Sequence, residues 1–398
     1  MKTTHMKQHL FATVAILIFW INTTQAQKKI RTITATSEKA WISDGEHVKI
    51  DWHLEPAANP DAYYVNVPAK KSVVKFETDQ DRLIIHTQPG KKYNFVVLLN
   101  GKDSCHVQIA STLPPDAADA KTTLTHPIHI PFQLINSKIF LNGKVNKKNV
   151  LIQLDLGAGT SAVNRNSSGK IGLEFSSYKM VSNTDGLNKE RTSLGNQLAI
   201  HHLQWDNIPL TEVGNMDDFE DLIIGNGLFR DKIIGIDYDK REFTIYEQLP
   251  SDAKTYKKMP VYYVQHRPMF EGEIVHNNKK YSAWFLFDTG RDGSMQIGND
   301  FTAVENNWDE LQAFTMVNGR KIIRLDARIA GVGFRDIVTN ASNPAVPNAK
   351  ASLFGNQVLK HFSVILDNRT GTLYLKPNSL SNEPYFNYES YLKQMSNE

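Results

Sequence analysis

Two aspartates stand out because each closes an apolar run and is followed, one residue later, by glycine. Asp155 ends Val150-Leu151-Ile152-Gln153-Leu154-Asp155-Leu156-Gly157-Ala158, and Asp288 ends Ala283-Trp284-Phe285-Leu286-Phe287-Asp288-Thr289-Gly290. Two carboxylates a few ångströms apart in a partly buried site cannot both ionise, because like charges repel there. They share one proton, so one group is a base while the other is an acid, and the pair titrates as a unit. That is what activating a water against an amide requires when neither a metal nor a covalent nucleophile takes part. Gly157 and Gly290 allow a tight loop and close approach of two backbones. Other chemistry fits poorly. His201-His202 has no third or fourth ligand at metal spacing, so no metal site is expected. No serine lies in Gly-x-Ser-x-Gly, and Gly331-Val332-Gly333-Phe334 has no crossover unit around it to make a dinucleotide loop. Cys105, the single cysteine, lies in the alternating stretch Cys105-His106-Val107-Gln108-Ile109 and reads as a small buried strand residue. No cofactor is expected.

The elements that must position the two aspartates are duplicated. The Asp155 run matches the Asp288 run at an offset of 133, with Asp and Gly coinciding. Thirty residues after each aspartate lies a hairpin signal, Asp185-Gly186 in the first half and Asn318-Gly319 in the second. Ile224-Gly225-Asn226-Gly227-Leu228-Phe229-Arg230 then matches Phe354-Gly355-Asn356-Gln357-Val358-Leu359-Lys360 at an offset of 130, and the match runs on without a gap to Phe243-Thr244-Ile245 and Leu373-Tyr374-Leu375. Each half therefore spells a strand ending in Asp-x-Gly, a hairpin, an apolar pair ending in Gly, a short helix and a closing hairpin. Two units are too few for a solenoid. They predict two equivalent lobes, with a site at their interface.

On these motifs, Asp155-Leu156-Gly157-Ala158, Asp288-Thr289-Gly290, Ile223-Ile224-Gly225 and Leu353-Phe354-Gly355, the second part of the chain resembles the pepsin/retropepsin clan of aspartic proteases. The resemblance implies an all-β, two-lobed fold over 127–250 and 251–378, with 379–398 left as a tail. It implies Asp155 and Asp288 as the catalytic pair, Gly157, Ala158, Thr289 and Gly290 as loop support, a peptide or protein substrate, and a flap over it at the Asp185-Gly186 hairpin. Asp292 matches an acidic residue that contacts substrate backbone in retroviral members.

This chain also departs from the clan's pattern. A hydroxyl residue follows each Asp in the clan and bonds the opposite loop; Thr289 fits and Leu156 does not. A small residue follows the Gly; Ala158 fits and Arg291 does not. A guanidinium beside Asp288 favours its ionised form or contacts a ligand carboxylate. Leu156→Thr is expected to keep or raise activity at little cost in stability. Three functions stay open: a peptidase, a peptide-binding relic using the same groove, and a docking protein acting through the N-terminal region.

That region, 27–112, carries short alternating runs bounded by turn residues, His47–Leu54, Ala62–Val67, Ser72–Thr78 and Asp81–Gln88 among them, and Asn100-Gly101 between two more. It predicts a small β-sandwich. The Pro/Ala/Asp-rich stretch 113–126 predicts a linker. Residues 1–26 read as a signal peptide: Lys2 and Lys7, an apolar run from Leu10 to Ile21 shorter than the ~20 residues of a span, and small residues before a cut after Ala26. Export to a periplasmic or extracellular space is the expectation, with no later membrane span. With 45 Lys and Arg against 42 Asp and Glu, and lysine pairs scattered through loops, no nucleic-acid surface is expected.

Overall fold

The structure, a computed structural model, describes residues 30–43, 49–58, 60–65, 72–88, 90–112, 119–120, 125–183, 186–264, 266–345 and 351–397. The expected signal peptide and most of the expected linker lie outside these residues.

The N-terminal region forms two four-stranded sheets. One runs Arg31–Ala35, Lys92–Leu99, Asp103–Ala110, Asp61–Tyr64, and the other Lys49–His53, Lys39–Ser43, Ser72–Glu77, Arg82–Thr87. Period-two alternation drives their packing: Arg82–Thr87 buries every second side chain. Phe76 of one sheet meets Phe95 of the other edge-on at 5.0 Å, in a core shared with Ile33, Ile42, Val97 and Val107. Asn100 and Gly101, at φ 54° and 67°, make the hairpin turn that their sequence signals. Cys105, opposite Val97 in the same hairpin, is buried, and burial raises its thiol's pKa. Two strands, Arg31–Ala35 and Lys39–Ser43, have no counterpart in the sequence reading. The first alternates in burial like its neighbours, and it pairs parallel to Lys92–Leu99, a partner about sixty residues away that local pattern does not show.

The duplicated region is built around a shared sheet. Its order is Ile128–Pro131, Glu242–Tyr246, Ile233–Asp237, Phe362–Asp367, Thr372–Pro377, Lys257–Val264. At its middle, Ile234 faces Leu366, Gly235 faces Ile365 and Ile236 faces Val364, antiparallel. The offset of 130 carries Gly235 onto its own partner, so the two halves meet across a local two-fold axis.

Within each lobe the apolar-apolar-Gly strand inserts between two others. Leu222–Ile224 lies parallel to Lys148–Leu154 and antiparallel to Ala162–Asn164. Leu353–Gly355 lies parallel to Lys279–Asp288 and antiparallel to Met295–Gln296. Leu222, Ile224 and Phe354 are fully buried, as a central parallel strand demands. Parallel pairing brings the carboxyl ends of both strands to one edge, which sets Asp155 beside Gly225 and Asp288 beside Gly355. The short helices Asn226–Phe229 and Asn356–Leu359 follow.

Those helices pin the lobes together in matched fashion. Asn356 Oδ1 accepts from the Tyr238 hydroxyl at 2.6 Å, and the Asn356 amide donates to Ser137 O. Across the axis, Asn226 Nδ2 donates to Asn368 Oδ1 at 2.9 Å and to His266 O at 2.9 Å. Asn226 and Asn356 are one repeat apart, as are Tyr238 and Asn368. All four are buried. Asn356→Ala is expected to lower stability by about 1–3 kcal/mol, because the Tyr238 hydroxyl stays buried without its acceptor. Urea unfolding checks this, and a loss within error contradicts the pin.

Beyond residue 378, Ser379–Asn382 and the helix Tyr388–Asn397 extend the second lobe's packing. The Tyr391 ring meets Phe314 at 5.2 Å, and Ser294 Oγ donates to Phe386 O at 3.0 Å. A boundary at 378 leaves these contacts out.

Candidate functional site

Asp155 and Asp288 stand face to face where the two lobes meet. A Cβ placed on Gly290 would lie 2.2 Å from Asp155 Cγ, and one on Gly157 would lie 2.6 Å from Asp288 Cγ. Each loop thus packs its glycine against the other lobe's carboxyl, and no side chain fits at either position. Gly157 N donates to Asp155 Oδ1 at 2.7 Å, and Gly290 N to Asp288 Oδ1 at 3.1 Å. Gly225 and Gly355 have the same necessity one layer below. A Cβ on either would sit 2.3 Å from a carbonyl oxygen, that of Ala158 or of Gly293.

The carboxyls lie deep between the lobes yet stay partly open to solvent. Asp155 is pushed well above the usual carboxylate range, first by burial and then by the charge of Asp288. Burial also raises Asp288, but the Arg291 guanidinium and a hydrogen bond with Asp155 pull it back. Both carboxyls are therefore disfavoured as a doubly ionised pair, and Asp155 is the one raised further.

A single hydroxyl ties the loops. Thr289 Oγ1 accepts from Leu156 N at 2.9 Å and donates to Leu154 O at 2.9 Å, fully buried. Leu156, which replaces the matching hydroxyl, turns its side chain into the first lobe's core and is fully buried. The expectation that Leu156→Thr comes at little cost is therefore revised. It removes a buried isobutyl group and places a hydroxyl in the core, so the expected loss is about 2–4 kcal/mol. Chemical denaturation measures it, and a loss under 1 kcal/mol contradicts the packing.

Gln153 is a support that the sequence reading missed. Its buried Nε2 donates to Gly290 O at 3.0 Å, a second tie from the first lobe to the Asp288 loop. The one available signal was a lone amide in an otherwise apolar run.

The substrate-binding candidates fall in different places. Asp292 is exposed, and its Oδ1 accepts from Ser137 Oγ at 2.7 Å and Gln357 Nε2 at 3.3 Å, so it bridges the lobes beside the dyad. Arg291 follows the Asp288 loop directly, with its backbone oxygen held by Asn356 N at 2.9 Å. Ala158 caps the first loop, where its N–H donates to Asp155 O at 3.1 Å. Asp185 lies outside the described residues. Gly186 opens the return strand of a long hairpin, Phe175–Asn183 with Gly186–Ile200, and pairs with Asn183. The second lobe's hairpin turns at Asn318 and Gly319, with φ 49° and 73°. Among the described residues no cluster of three or more His, Cys, Asp or Glu could hold a metal ion. No helix among them is long and apolar enough to cross a membrane.

No protein-family model matches the chain, and no curated protein matches it. Among solved structures it is similar to the aspartic proteinase from Irpex lacteus, at 12% identity and a TM-score of 0.44, over 65% of this chain and 99% of that one. It is also similar to a retropepsin-like aspartic protease from Rickettsia conorii, at 20% identity and a TM-score of 0.24, over 32% of this chain and 92% of that one.

Proposed function

We propose that this protein is an aspartic-type peptidase, hydrolysing peptide bonds with a water activated between Asp155 and Asp288. The observation that carries this reading is the pair itself: two carboxyls from two lobes, within hydrogen-bonding reach, both raised by burial and partly open to solvent. Asp288, ionised, takes a proton from the water as it attacks the carbonyl carbon. Asp155 gives its proton to the carbonyl oxygen, and the neutral tetrahedral diol forms without an isolated charge. As the carbon–nitrogen bond breaks, Asp288 gives its proton to the leaving amine and Asp155 takes one back from a diol hydroxyl, which restores the pair and releases the new carboxyl end. Thr289 and Gln153 fix the two loops, because a displacement of ~1 Å in the reacting groups can cost ~100-fold in rate. The hairpin Phe175–Asn183/Gly186–Ile200 is proposed as the flap over the bound peptide, and export through residues 1–26 as the route to a periplasmic or extracellular substrate.

The test is incubation of the purified chain with a peptide library from pH 3 to 8, beside its Asp288→Asn variant. Cleavage by the wild type alone supports the reading. Equal cleavage by both, or none by either, removes it.

A further inference from the structure

Arg291 is the largest difference between the two loops. Its counterpart one repeat earlier is Ala158, which has no charge and little bulk. The Arg291 stem is fixed: its Cγ lies 3.0 Å from where a Cβ on Gly355 would stand, and its Nε lies 3.6 Å from that position on Gly293. Its backbone oxygen is held by Asn356 N. The side chain is half-buried, close enough to Asp288 for its charge to act on that carboxyl. Among the described residues, none of the ion pairs within 4.0 Å involves it, although other arginines of the same region do pair, as Arg324 does with Asp336 and Arg191 with Glu212. A guanidinium presents five donors in a planar fork that matches a carboxylate in two parallel hydrogen bonds. Here that fork stands three residues from the proposed base, on a fixed stem, and among the described residues no carboxylate forms an ion pair with it within 4.0 Å.

We infer that Arg291 is a specificity residue, receiving the carboxylate of a glutamate or aspartate side chain of the peptide next to the scissile bond. The inference rests on the peptidase reading of the same cleft and names the substrate class that cleft prefers. Asp288 itself does not fill the role of partner. The dyad holds it through Gly290 N and Asp155, so a second, substrate carboxylate is the group that completes the guanidinium's bonds.

The experiment uses the full chain and pairs of peptides that differ only by Glu against Gln at each of the two positions on either side of the cleaved bond. For one such position, wild type is expected to favour Glu over Gln by roughly 10- to 100-fold in kcat/KM, the range of a charge-assisted bidentate contact. Arg291→Ser is expected to bring that ratio near one, and Arg291→Lys to restore part of it, since a lysine keeps the charge without the fork. A wild-type ratio near one at every position overturns the inference. So does an Arg291→Ser variant that shifts the pH profile equally for both peptides with the ratio unchanged, because the arginine then acts on Asp288 alone. Calorimetric binding of the same peptides to Asp155→Asn separates this inference from the peptidase reading. If wild type cleaves neither peptide, a preference for Glu lost on adding Arg291→Ser keeps the carboxylate site while the hydrolytic role falls. Equal binding of both peptides removes the site as well.

Discussion

Asp155→Asn and Asp288→Asn are each expected to lower peptide hydrolysis by at least about 10²- to 10⁴-fold, the range of a lost general acid or base. The double variant is expected to be no slower than either, because residues acting as one unit lose their whole effect at the first deletion. The cause is the shared proton. Burial raises both carboxyls, and the Asp288 charge raises Asp155 further, so neither group does its part without the other. The fold should survive. An asparagine at 155 keeps an acceptor for Gly157 N and removes one of two carboxyls that resist ionising together. A thermal transition at pH 7 no lower than wild type is therefore the companion result. Substantial turnover in either single variant contradicts the assignment of the pair.

Acid should loosen the two-lobed region through two histidines rather than through its active carboxyls. His266 and His361 are buried, at 9% and 1% exposure. Burial, helped by Arg230 near one and Lys360 near the other, lowers each from 6.5 to about 4. His266 carries a positive φ of 67° at the inter-lobe pin, and its Nδ1 has no hydrogen-bond partner. His361 stacks on Phe334 at 5.4 Å. A folded-state pKa below the unfolded one means that the unfolded chain binds the extra proton. Stability is then fully present above about pH 6.5 and is lost as pH falls through about 4. At pH 4.5 each histidine accounts for a loss of about 2–3 kcal/mol. The dyad has the opposite sign, since its raised carboxyls favour the folded state as pH falls. The comparison that isolates the histidines is His266→Asn with His361→Phe against wild type. Asparagine tolerates the positive φ, and phenylalanine keeps the stacked ring. Between pH 7 and 4.5 the double variant is expected to lose about 5 kcal/mol less than wild type in urea unfolding. Parallel losses in the two proteins contradict the buried neutral histidines.

The sequence by itself determined the duplication, the two Asp-x-Gly strand ends and the apolar pair ending in Gly that follows in each half. These follow from local composition. An apolar run buried on both faces reads the same wherever its partner lies, and Asp-x-Gly marks where that run must stop. Turn chemistry was equally local, which is why Asn100-Gly101 and Asn318-Gly319 fall at hairpin tips. Leu156 and Arg291 were visible as departures from a pattern, and the pull of Arg291 on Asp288 was legible from charge alone. Packing settled that Leu156 belongs to the core, so that Thr289 is the one hydroxyl tying the loops and Gln153 adds a second tie from the first lobe. Only the pairing of the lobes brought Asn226 to Asn368, 142 residues away, and Tyr238 to Asn356, 118 residues away. It also set Ser137 on Asp292, so that a residue read as a substrate contact bridges the lobes. Side-chain hydrogen bonds at such separations have no period in the chain. They depend on where two lobes come to rest, and the same contact sets the two carboxyls against each other.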